Sequence, residues 1–145
     1  MIILSRRQAK AIDLLFFNAD KLREEMISIA AERAAQAEDS VDPTLRVAVE
    51  HLAPVPYAMG YEKPERWLKA AEETWEKYSG TELGKAMHRR YILKEAWQRT
   101  VYECYITDGT YFKWREEFIF FAALMLAKEG INLELDNGTM LRDLK

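Results

Sequence analysis

The sequence predicts an all-α fold in which a long N-terminal helix precedes a C-terminal helix-turn-helix domain. Apolar residues return at steps of three and four through much of the chain, the spacing of one helix face. Hydrophobic residues make up 49% of 145, with four Trp, seven Tyr and six Phe. That composition suits one packed core, or a small domain carrying a helical arm. The third feature is the stretch 96–118, where two amphipathic segments flank a brief interruption.

The first helix is expected to run from a capping box at Ser5-Arg6-Arg7-Gln8 to Ala37. Along it Ile12, Leu15, Ala19, Leu22, Met26 and Ile29 alternate steps of three and four, the a/d spacing of a coiled-coil seam. Residues 1–37 therefore read as an arm for self-association, and the protein as a homo-oligomer. Leu14, Phe16 and Phe17 widen the apolar face near its start, as in a helix packed on its own domain.

Residues 38–63 read as a linker. Glu38-Asp39-Ser40-Val41-Asp42-Pro43-Thr44 is acidic, polar and broken by proline. A short helix can start at Pro43 with Leu45, Val47, Ala48, Val49 and Leu52 as its apolar content, and Pro54-Val55-Pro56 must end it. Tyr57 to Lys63 has no period and reads as a loop.

Residues 64–130 form the expected helix-turn-helix domain. Pro64 suits a first helical position, with Trp67, Leu68, Ala71, Trp75 and Tyr78 as the inner stripe. Ser79-Gly80-Thr81 closes that helix and caps a support helix whose Leu83, Met87, Tyr91 and one of Leu93 or Ala96 face inward. In the helix after it, Trp97, Val101 and Cys104 share a face. Ile106 plugs the turn, and Thr107 is positioned to cap a last helix. There Tyr111, Trp114, Phe118, Phe121 and Met125 recur at three or four and should turn inward. The outward face is left to Asp108, Gly109, Phe112, Lys113 and Glu116, where a helix-turn-helix reads the major groove. The run 118–127 is apolar almost all round, so either the domain or a second chain must cover it. Gly130 suits a C-cap, and 131–145 reads as a tail with a possible turn at Asn137-Gly138.

Charge supports a nucleic-acid reading. Between Lys85 and Arg115 there are seven basic residues against three acidic ones, on a chain whose net charge is −3. Such a patch is a footprint for phosphates. Arg89, Arg90, Lys94, Arg99 and Arg115 are the expected backbone contacts; Asp108, Gly109, Phe112 and Lys113 are the expected base-reading positions. The overall negative charge argues against a sequence-blind binder.

Arg90-Tyr91, Trp97, Ile106-Thr107 and Thr110-Tyr111-Phe112-Lys113-Trp114-Arg115 resemble the C-terminal region of phage late-gene transcriptional regulators of the RinA/ArpU type. That region is similar to the promoter-reading domain of sigma factors. Asp42-Pro43-Thr44 resembles the linker of the same group. The resemblance covers about forty residues well and the rest in architecture only. It implies a transcriptional activator that engages double-stranded DNA and RNA polymerase. Tyr105 stands where that turn often has Gly, so a positive φ there would cost on the order of 1 kcal/mol.

Other functions have less support. His51 and His88 lie in no metal-binding spacing, and no phosphate loop, dinucleotide fingerprint or nucleophile elbow occurs. No metal, cofactor or catalysis is expected. The single Cys104 suits a reducing compartment and reads as a small buried hydrophobe. Ser5-Arg6-Arg7 follows Met1-Ile2-Ile3-Leu4 at once, unlike a secretory signal, and the ten-residue run 118–127 is too short for a bilayer. A cytoplasmic protein is expected. Two alternatives to a regulator remain: a small-terminase-like DNA-packaging protein, and a helical interaction module without DNA.

Overall fold

The computed structural model describes residues 4–37 and 55–133. The linker at 38–44, the short helix placed near 43–52 and the tail beyond 133 lie outside the described residues. Those described form an all-α fold of five helices with one minimal hairpin. In order these are α1 (Arg6–Ala37), β1 (Tyr57–Ala58), β2 (Tyr61–Glu62), α2 (Pro64–Lys77), α3 (Glu82–Tyr91), α4 (Trp97–Cys104) and α5 (Asp108–Lys128).

The capping box opens α1 as expected: the Ser5 hydroxyl accepts from the Gln8 amide at 3.1 Å, and the Gln8 side chain accepts from the Ser5 amide at 2.9 Å. Two backbone donors that a helix start leaves orphaned are thereby satisfied. The seam behind it is spent inside the chain. Ile12, Leu15, Ala19, Leu22 and Met26 are buried, and so are Ala11, Phe16 and Ala30 beside them. An apolar stripe that broad is a domain-facing stripe, not a coiled-coil seam, and α2 and α5 cover it. The surface expected to receive a second copy is therefore occupied within the molecule. Arg23 on α1 adds an ion pair to Glu72 of α2 at 3.1 Å.

The segment expected to be a loop contains a hairpin. Tyr57 pairs with Glu62 and Ala58 with Tyr61. Met59 and Gly60 turn the chain with φ of 50° and 87°, the two positive values a two-residue hairpin turn demands. Tyr61 is driven into the core and meets Trp67 edge-on at 4.9 Å. Strands of two residues carry no detectable alternation, which is why the sequence pattern misses them.

Pro64 opens α2 as expected, and Trp67, Leu68, Ala71 and Tyr78 are buried along it. The turn into α3 is tight. Thr81 caps α3 by accepting from the Gly84 amide at 3.0 Å. A Cβ on Gly84 would stand 2.2 Å from the Tyr78 carbonyl oxygen, so only glycine fits there. Leu83, Met87 and Tyr91 face inward as expected, whereas Leu93 and Ala96, one of which was expected to do so, are both exposed.

Phe118 sits where α1, α2, α3 and α5 converge. Its ring lies 4.7 Å from Phe16, 4.9 Å from Trp75, 5.7 Å from Tyr78 and 5.9 Å from Tyr91. The apolar run on α5 is thus covered by its own domain on one side only: Phe118, Ile119, Ala122 and Leu126 are buried, Phe121 and Met125 are half-buried, and Leu124 is exposed. Gly130, at φ 82°, ends α5, with its amide bonded to Ala127 and that of Ile131 to Leu126. This Schellman cap returns Ile131 and Leu133 to the core. No helix among the described residues is long and apolar enough to cross a membrane.

Candidate nucleic-acid interface

The interface is built on the corner between α3 and α4, and Glu95 holds that corner. Its carboxylate accepts from Arg89 at 2.8 Å and from the buried Thr100 hydroxyl at 3.2 Å, while its backbone carbonyl accepts from Arg90 at 2.9 Å. These charge-assisted bonds fix the direction in which α4 leaves. Lys94 precedes the corner with φ 61°, and its ammonium donates to the carbonyls of Tyr91, at 2.9 Å, and Phe17.

α4 ends in a Schellman cap of its own. Tyr105 adopts φ 55° and ψ 45°, the left-handed region that favours glycine. Its amide bonds to Tyr102 and that of Ile106 to Val101, both at 3.3 Å. Ile106 is thereby turned back against the core as the plug. Thr107 then caps α5, its hydroxyl accepting from the Thr110 amide at 3.1 Å. Three residues, Tyr105 to Thr107, thus separate a helix of 8 residues from one of 21.

The first turns of α5 are embedded on one side only. Tyr111 is buried and stacks on Trp97 at 5.9 Å. Burial pushes its hydroxyl pKa up, against the pull of Arg90 and Arg115. Asp108, Gly109, Lys113 and Glu116 are exposed. Phe112 rests on Trp97 at 4.8 Å but stays 46% exposed. All four expected base-reading positions therefore share the open face.

The inner stripe of α5 is rotated from the expected one. Tyr111, Phe118, Ile119, Ala122 and Leu126 are buried, while Trp114, Phe121 and Met125 are half-buried. Arg115 lies on the observed stripe, half-buried. It turns toward α1 and pairs with Asp13 at 3.2 Å, and Asp13 also accepts from the Tyr91 hydroxyl at 2.5 Å. Burial works against the charge of Arg115, and Asp13 restores it and raises its pKa. Burial, reinforced by Asp13, holds the Tyr91 phenol neutral well above its ordinary range.

Most of the expected backbone contacts are engaged within the chain. Arg89 is bound to Glu95, Arg90 lies over the Phe17 ring at 4.5 Å, Lys94 caps carbonyls, and Arg115 pairs with Asp13. For the half-buried Arg89, Arg90 and Arg115 the expected outward projection is corrected, since each finds a partner on α1 or at the Glu95 corner that offsets part of its desolvation; Lys94 stays exposed with its ammonium engaged. Arg99 stays outside, paired with Glu103 one turn on at 3.1 Å. Lys85 and Lys113 are exposed and form no ion pair among the described residues. Cys104, expected to be buried, is only half-buried where it packs against the core, and burial raises its thiol pKa.

The sequence reading passes over Tyr102 and weighs Tyr105 only as a turn residue; they are 76% and 95% exposed. Tyr102 falls off the stripe of Trp97, Val101 and Cys104, and that displacement was the available signal, whereas Tyr105 continues the spacing and is exposed because the helix ends before it. A separate open groove of about 730 Å³ lies between α1 and the α2–α3 turn, lined by Asp20, Trp75, Lys85 and His88 among others. The chain matches no family model, no curated protein and no solved structure.

Proposed function

We propose that this protein is a sequence-specific double-stranded DNA-binding protein of the cytoplasm, a transcriptional regulator of the phage or prophage kind, that reads the major groove with the first turns of α5. One observation carries the reading. Behind a three-residue turn, α5 holds Asp108, Gly109, Phe112 and Lys113 on one open face, while Tyr111 and Phe118 anchor its rear. That is how a groove-entering helix is presented. Lys113 reaches a guanine edge or a phosphate, Phe112 lies against a thymine methyl, and Asp108 accepts from a cytosine amino group. The resemblance to phage late-gene regulators favours activation, with RNA polymerase as the second partner.

The engagement of four basic residues within the chain changes the electrostatics of the proposal. Lys85, Arg99 and Lys113 are left for phosphates, so the log–log salt slope should be shallow, about −2 to −3. Selection from a pool of random duplexes tests the reading. The wild type should enrich one motif; a pool that stays random after several rounds would refute it.

A helical interaction module without DNA has one observation in its favour. Leu93, Tyr102 and Tyr105 are large and exposed on the segments flanking and forming α4, as at protein interfaces. A wild type that enriches no duplex would favour this second reading.

A further inference from the structure

The structure leaves the DNA reading short of phosphate contacts, because four of the five side chains expected to make them are engaged by partners within the chain, three half-buried and Lys94 exposed. Two phenols stand where replacements are needed. Tyr105 begins the turn whose last residue caps α5, so its Cα lies within about 11 Å of Asp108 along the chain. Tyr102 precedes it by one helical turn on α4. The major groove is about 12 Å wide, so side chains this close to an inserted helix end meet the flanking backbone.

The hydroxyls of these residues differ from those of Tyr78, Tyr91 and Tyr111, although the buried Tyr61 hydroxyl also has no partner among the described residues. Tyr91 donates to Asp13, Tyr111 meets Arg90, and Tyr78 meets Glu117. Neither Tyr102 nor Tyr105 has a side-chain hydrogen bond among the described residues, and Tyr105 gains no burial in return for its left-handed backbone. A free phenol donates one hydrogen bond to a phosphate oxygen, a common contact in protein–DNA complexes.

We propose that Tyr102 and Tyr105 donate hydrogen bonds to phosphates flanking the groove and supply the positioning contacts that Arg89, Arg90, Lys94 and Arg115, engaged within the chain, do not. This rests on the DNA reading above. Because a neutral donor releases no counterion, these contacts add affinity without steepening the salt dependence.

The test is equilibrium binding of the full chain to its selected duplex and to an unrelated duplex, at several salt concentrations, for wild type, Tyr102→Phe/Tyr105→Phe and Tyr102→Ala/Tyr105→Ala. Each lost hydrogen bond should weaken binding about two- to ten-fold. The Phe pair should therefore weaken both duplexes alike, with an unchanged salt slope, and the Ala pair should be no worse than severalfold below it. Wild-type affinity in the Phe pair overturns the proposal. A Phe pair that binds normally beside an Ala pair that does not would assign the rings to stacking instead, which also overturns it. A wild type that binds no duplex removes the DNA reading itself, and the proposal with it.

Discussion

The two halves of α5 live in different surroundings. Its C-terminal half is apolar nearly all round and packs one side against α1 and α2, with Phe118 at the centre of an aromatic cluster and Leu124 left exposed. Its N-terminal half is mixed in character, is held from behind by Tyr111 and Arg115, and leaves Phe112 and Lys113 open. One half spends its side chains on stability. The other is held rigidly by contacts on its rear face, so its front is available. A rigid scaffold with an open face is what recognition needs, since little entropy is then lost on binding.

Truncation should separate the halves most sharply. Phe118→Ala removes a fully buried ring and should cost about 3 to 5 kcal/mol, whereas the half-exposed Phe112→Ala should cost under about 1 kcal/mol. Chemical denaturation of both variants measures this. Equal losses would mean that the open face is a second core.

The contrast sharpens at the basic residues. Arg90→Ala loses its stacking on Phe17 and its bond to the Glu95 carbonyl, and should destabilise the fold by about 1 to 2 kcal/mol. Lys113→Ala should leave the melting temperature unchanged. If Arg90→Ala instead keeps full stability and lowers the salt slope by about one unit, Arg90 belongs to the interface after all.

Alkaline titration probes the packed end. Burial raises the pKa of Tyr78 from 10.0 to about 12, with Glu117 adding to it. The folded state therefore keeps a proton that the unfolded chain has released. This contribution is intact below pH 10 and is lost as pH rises from 10 toward 12. Tyr78→Phe should flatten the decline seen in denaturation midpoints over that window, and an unchanged decline would assign it to other groups. The smallest expected effect lies at the turn. Tyr105→Gly relieves the left-handed strain and should stabilise the fold by about 0.5 to 1 kcal/mol; a destabilised variant would mean that the ring packs in solution.

Local chemistry made much of this architecture legible. Ser5, Pro64, Thr81, Thr107 and Gly130 mark helix ends that the structure keeps, because caps and breakers act within a few residues. The open face of Asp108, Gly109, Phe112 and Lys113 was legible for a similar reason, helical periodicity. The role of the cations was not. Arg115 meets Asp13 and Arg90 meets Phe17 across most of the chain, and no local pattern encodes such pairings. The seam on α1 misled because three-four spacing is shared by partner-facing and domain-facing helices. Trp114 was placed on the inner stripe, whereas the half-buried Arg115, a cation, lies on the observed one.

The central claim is that the first turns of α5 read DNA. Parallel selections on random duplexes with the wild type and with Phe112→Ala/Lys113→Ala, each shown folded by its melting curve, test it directly. The wild type should enrich a motif, and the double variant should lose or alter preference by about 1 to 3 kcal/mol at one or two base pairs within it. If both proteins enrich the same motif with the same affinity, α5 is not the reading helix and the account is contradicted.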